Sequence, residues 1–144
     1  MKRPALRLPV LALSALLPLA LLLPAFAPEA DLADVMGQMK GKLKALTVAL
    51  AAKDEPASLE VLGAMQGLAL EAKGFVPPGT DKLPRDGQAA HVKAYRKQVL
   101  ALLRQLADLE DEVLDGAWDD ATKRATVTLK ELRDAAHERF QLDG

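Results

Sequence analysis

The chain contains no cysteine, which excludes disulfides, thiolate metal sites, iron–sulfur clusters and covalent attachment of haem through a C-x-x-C-H motif. Histidine is almost as scarce, since His91 and His137 are the only two, and a three-histidine metal site cannot be assembled from them. Aromatic residues make up 3% of the sequence, so few rings are available to line a pocket. There is no Gly-rich phosphate loop, no Ser-His-Asp arrangement and no opposed pair of catalytic carboxylates, and the chain is therefore not expected to be an enzyme. Beyond residue 30 no strand-like alternation of any length occurs. The 144 residues, half of them apolar, suffice for one domain and not for two.

One strongly biased stretch is present. Lys2, Arg3 and Arg7 form a basic start, Leu8 to Leu23 is apolar, and Ala25-Phe26-Ala27 has the small-x-small form of a signal-peptidase site. Pro9, Pro18 and Pro24 interrupt any helix short of the ~20 residues needed to span a bilayer. The stretch therefore reads as an export signal over 1–27, followed by one domain over 28–144 and a periplasmic location. Pro28 disfavours cleavage at the bond before it and leaves the cut itself open. Removing 1–27 takes away three of the 19 basic residues, leaving 16 against 20 acidic ones and a formal charge of −4. A mildly acidic protein without a membrane span is poorly suited to nucleic acid or anionic lipid.

What the remaining sequence does have is helical rhythm. Leu32, Met36, Met39, Leu43, Leu46 and Leu50 predict one stripe of a first helix, with Asp31 or Asp34 near its start. Asp54 and Pro56 suit the opening of a second helix, which carries Val61, Met65, Leu68 and Ala72 on one face and Leu62 and Ala69 beside them. Gly63 and Gly67 are expected to thin its packing or permit a close approach. Gly74 to Gly87, rich in proline, reads as a long loop. Val92, Tyr95, Val99, Leu102, Leu106, Leu109 and Val113 mark a third helix that ends at Asp115-Gly116. Trp118, Ala121, Ala125, Leu129, Leu132, Ala136 and Phe140 mark a fourth. The expected fold is an all-α, antiparallel up-down-up-down four-helix bundle.

In such a bundle the start of the first helix and the finish of the fourth lie at one end. Met36, roughly 9 Å into the first, and His137, roughly 6 Å from the close of the fourth, arrive at nearly the same height. A thioether and an imidazole so placed can take both axial positions of a haem iron. That arrangement suits electron transfer and leaves no open coordination position.

The segments Ala30-Asp31-Leu32-Ala33-Asp34-Val35-Met36 and Leu132-Arg133-Asp134-Ala135-Ala136-His137-Glu138-Arg139-Phe140 are similar to the opening and closing segments of the cytochrome b562 family, and the resemblance extends over about residues 30 to 141. It implies a periplasmic bundle holding one non-covalent haem b, with Met36 and His137 as iron ligands. It also implies that Arg133 stands near the haem edge and a propionate, and that Tyr95 occupies an aromatic position of the pocket. At Val99 the chain departs from the family, where a phenylalanine is expected. A smaller wall there leaves the haem more exposed or more weakly held.

Other readings attach to the same residues. Met39 and Met65 are expected to be ordinary core, and His91, at the start of the third helix, a surface residue. Asp134-x-x-His137 resembles half of a di-iron motif, but His91 has Gln88 where the second carboxylate belongs. The expected function is electron transfer by a monomer to redox partner proteins that the sequence does not identify. The alternatives are a haem-free bundle that binds a protein or hydrophobic ligand, and a haem carrier or buffer.

Overall fold

The computed structural model describes residues 31–140; the export signal over 1–27 and its cut lie outside the described residues. Four helices account for most of what is described: α1 (Leu32–Ala51), α2 (Glu55–Ala72), α3 (Arg85–Leu114) and α4 (118–140). The last is α-helical over Trp118–Lys123 and Leu129–Phe140, with a π-helical stretch, Arg124–Thr128, between them. No strand occurs among the described residues, and no described helix is long and apolar enough to cross a membrane. The architecture is the all-α four-helix bundle expected from the sequence.

Local chemistry explains the boundaries. The Asp31 carboxylate accepts the Asp34 N–H at 2.8 Å and the Asp54 carboxylate accepts the Ala57 N–H at 3.0 Å, each satisfying an N–H that helix geometry leaves without a partner. Helix α3 stops at Gly116, whose φ of 69° is left-handed, and the Ala117 N–H closes the turn on the Glu112 carbonyl at 2.8 Å. The corner after α1 has the same shape, with the Asp54 N–H donating to the Ala49 carbonyl. There the left-handed residue is Lys53, at φ 54°, a conformation that costs a side-chain-bearing residue about 1 kcal/mol or more.

Two expectations are corrected. The loop after α2 is shorter than Gly74 to Gly87, because Pro84, with φ −54°, opens α3 at Arg85 and its carbonyl accepts the Gly87 and Gln88 N–H groups. A short 3₁₀ turn, Thr80–Lys82, fills part of the remainder. Gly63 and Gly67 are exposed, and a β-carbon added at either would meet nothing within 4 Å, so neither is needed for a close approach.

The core is built from Leu46, Leu50, Leu62, Met65, Ala69, Tyr95, Val99, Leu106, Leu109, Val113, Ala121, Ala125, Leu129 and Phe140. In α1 the buried positions are Val35, Leu46, Ala49 and Leu50; Leu46 and Leu50 lie where the expected stripe placed them, and Val35 is buried in place of its neighbour Met36. Leu32, Met36, Met39 and Leu43 are only half-buried. The four-residue steps Ala121, Ala125, Leu129 overrun a regular helical turn, and the π segment absorbs the excess as the Leu129 N–H reaches back to the Arg124 carbonyl. Facing α4, α3 presents polar residues at seven-residue intervals. His91 packs against Phe140, Gln98 donates to the Leu132 carbonyl, and Gln105 and Glu112 both accept from Arg124.

Candidate functional site

Helices α1 and α4 are antiparallel, as the corner residue Lys53 beside Trp118, Asp119 and Asp120 makes plain. Along their shared length they do not stay together. Helix α1 lies close to Trp118–Lys123 and Arg124–Thr128, whereas no α-carbon of Leu129–Phe140 comes within 8 Å of it. Neighbouring helices in a closed bundle run about 8–10 Å apart, axis to axis, with many α-carbons nearer than that. The two helices therefore converge at the α1 finish and part at the α1 start.

Met36 stands at the open end, four residues inside α1. It is half-buried and is not among the side chains packed against the core cluster, whereas Leu32, Met39 and Leu43 are. His137 stands three residues before the close of Leu129–Phe140 and is exposed. At 1.5 Å per residue these depths are about 6 Å and about 4.5 Å from the same end of the bundle. Leu132 and Ala136, half-buried, lie on the same stretch of α4. Met36, Leu32, Met39 and Leu43 on α1 and Leu132, Ala136 and His137 on α4 thus belong to the stretches of the two helices that part.

Tyr95 and Val99 are both buried, at 6% and 5% exposure. The Tyr95 hydroxyl donates to the Ala72 carbonyl at 2.8 Å, and its ring meets Phe140 edge-on at 5.5 Å. Burial raises its phenol above the ordinary tyrosine value. With its oxygen committed to backbone, Tyr95 serves as a wall that ties α2, α3 and the last turn of α4 together.

Arg133 is exposed one turn before His137 and donates to Asp134 at 2.7 Å, while Lys130 donates to the other Asp134 oxygen at 2.8 Å. These hydrogen bonds, first from Lys130 and then from Arg133, hold the Asp134 carboxyl below its ordinary range. A solvent-exposed pair of this kind is weak, which leaves the Arg133 guanidinium available to a second carboxylate.

His91 is half-buried rather than superficial, because its ring lies 5.2 Å from that of Phe140 and its Nε2 has no hydrogen-bond partner. Among the described residues no three His, Asp or Glu side chains gather into a metal site. Two features were not anticipated from the sequence: the parting itself, and a polar knot at the opposite end. In that knot Arg124 donates to both oxygens of Glu112 at 2.9 Å, which raises the guanidinium value further. The Ala121-Ala125-Leu129 spacing was the available signal for the π turn that carries Arg124.

The donors present fit a haem. A haem would need apolar surface between helices and side chains able to bind its iron, and Met36 and His137 are of the types that could hold it. A model of the cytochrome b562 family matches residues 31–141. No curated protein matches the chain.

Proposed function

The chain belongs to the cytochrome b562 family, a family of haem-binding electron-transfer proteins, and from that premise we propose a periplasmic carrier that holds one non-covalent haem b between Met36 and His137. The observation that carries this reading is the separation of α1 from Leu129–Phe140 at the end where both donors stand at similar depth.

The residues would divide the work as follows. The Met36 sulfur and one His137 nitrogen would hold the iron and leave no position on it for a substrate. Leu32, Met39, Leu43, Leu132 and Ala136 cover the ring with apolar surface, and Tyr95 and Val99 limit how deeply it enters. Arg133 exchanges part of its contact with Asp134 for a haem carboxylate. When bound, the haem supplies an iron that cycles between ferrous and ferric states. A neutral methionine donor favours the ferrous state more than an anionic ligand does. Without cysteine the cofactor is held by ligation and burial alone.

The test is to load the exported protein with haemin and record its spectrum in both oxidation states. Sharp low-spin bands at one haem per chain are expected, turning high-spin in Met36→Ala and in His137→Ala. Spectra that neither substitution changes would falsify the ligand assignment. A second reading, a haem carrier, draws on Val99, which presents a smaller wall than an aromatic ring. Transfer of haem to an apo-acceptor within minutes would favour it over electron transfer.

A further inference from the structure

We infer that Asp134 is the positioning residue of the site: its carboxylate accepts the second ring N–H of His137 and thereby strengthens the imidazole nitrogen that faces the iron. The inference rests on the proposed ligation by His137 and adds to it the group that orients the ring.

An imidazole that binds a metal through one nitrogen carries its proton on the other. That N–H is met by a carboxylate, a backbone carbonyl or water, which fixes both the tautomer and the angle of the ring. On a helix the side chains able to reach His137 are those three or four positions away, and among the described residues these are Arg133, Asp134 and Phe140. Arg133 can only donate and Phe140 has no polar side-chain atom, so Asp134 alone offers an acceptor. The adjacent Glu138 faces another way, because neighbours in sequence stand about 100° apart around a helix. The Arg133 carbonyl, one turn back, belongs to the hydrogen-bond ladder of the helix. Direction agrees as well: side chains on a helix lean toward its N-terminus, which brings the His137 ring back over the turn that carries Asp134.

The Asp134 carboxylate has room for this bond. Its Oδ1 accepts from Arg133 Nε at 2.9 Å and Nη2 at 2.7 Å, and its Oδ2 accepts from Lys130 Nζ at 2.8 Å. The same contacts hold the carboxyl below its ordinary range, so at neutral pH it is ionised and can only accept. A carboxylate offers about four acceptor sites, and these bonds leave one open. Movement of Arg133 toward a haem carboxylate frees more of Oδ1, so Asp134 passes from Arg133 to His137 as the site fills. An exposed pair is weak while both side chains turn freely; a ring fixed by an iron has already lost that freedom. The Asp134-x-x-His137 spacing, which resembles half of a di-iron motif, thus serves a single iron. A carboxylate on the far nitrogen makes the imidazole more basic, and a stronger donor favours ferric over ferrous iron.

The test measures haem affinity in both oxidation states, and the reduction potential that reads their ratio, for the unaltered protein, Asp134→Ala, Asp134→Asn and Glu138→Gln. Asp134→Ala should keep the low-spin bands and lose about tenfold in ferric haem affinity, with a smaller loss for ferrous haem, so that the potential rises. Asp134→Asn, which keeps a neutral acceptor, should fall between. Glu138→Gln removes the same charge one residue from His137 without touching the bond, and should change either affinity by less than about twofold. In the ferrous protein the His137 ring N–H, followed by proton NMR, should exchange slowly with solvent and become fast in Asp134→Ala. Asp134 is exposed, and circular dichroism verifies that its variants fold. Two results would overturn the inference: a potential that moves no further in Asp134→Ala than in Glu138→Gln, or a ring N–H that exchanges equally fast with and without the carboxylate. Failure of the ligation itself is read separately, as a low-spin spectrum that persists in His137→Ala.

Discussion

Where α1 turns into α2 and α3 into α4, the bundle is closed by its own side chains. Trp118 packs on the core, Arg124 joins Glu112 and Gln105, and α1 lies against the first half of α4. At the other end, α1 and Leu129–Phe140 stand apart, Met36 is half-buried, and His137 is exposed. The closed end holds Arg124 paired with Glu112 within the protein, whereas the open end holds Met36 and His137, the two proposed ligands. On the proposed reading, one end holds the fold by itself and the other gains stability from the haem it binds.

That contrast can be broken by substitution. Leu106→Ala removes a fully buried side chain and should destabilise the protein by about 2–5 kcal/mol, by the same amount with and without haem. Chemical denaturation of both forms checks this; a loss confined to the haem-bound form would mean that the core, too, depends on the cofactor.

His137→Ala should act in the opposite way. With haem at a hundredfold excess over its Kd the bound form gains about 2.7 kcal/mol, and the substitution should remove most of that while leaving the apoprotein unchanged. Equal losses in both forms would give His137 a packing role. Hydrogen exchange sharpens the comparison, since haem should slow amides of Leu129–Phe140 and the first turns of α1 while barely affecting Trp118–Thr128.

Arg124→Ala leaves Glu112 without its partner at a mostly covered position, its side chain being 18% exposed. The expected loss is about 1–3 kcal/mol, again independent of haem, as measured by thermal unfolding of both forms.

Tyr95→Phe strands the Ala72 carbonyl and should cost about 1 kcal/mol. It also carries a pH signature. Because burial raises the folded phenol above 10.0, the unfolded chain ionises first; the contribution is complete below pH 10 and is lost as pH rises through the folded value. Alkaline unfolding curves should lose that component in the variant. The smallest effect is expected of Lys53→Gly, which relieves a left-handed residue and should raise the melting temperature by a few degrees, equivalent to about 1 kcal/mol.

The helices were legible because each announces itself within a few residues: Asp31, Asp54 and Gly116 stand at their ends, and α3 repeats apolar residues at regular intervals. The burial of Val35 in place of Met36 near the start of α1 was not legible. Val35 and Met36 are adjacent and both apolar, and only the neighbouring helices determine which one is buried. His91 was misplaced for a related reason, since the ring that covers it, Phe140, lies 49 residues away in sequence. That Met36 and His137 stand at similar depth from one end of the bundle was legible, because depth follows from counting residues from a helix end.

The sequence by itself determined that the chain is helical, that it forms four helices, and that it holds no thiol chemistry, because these depend on residue identity and on spacing along one segment. Only the tertiary structure decided that α1 and α4 part at one end and that Arg124 closes the other. Both are properties of the distance between segments far apart in the chain, and the packing of all four helices together settles that distance.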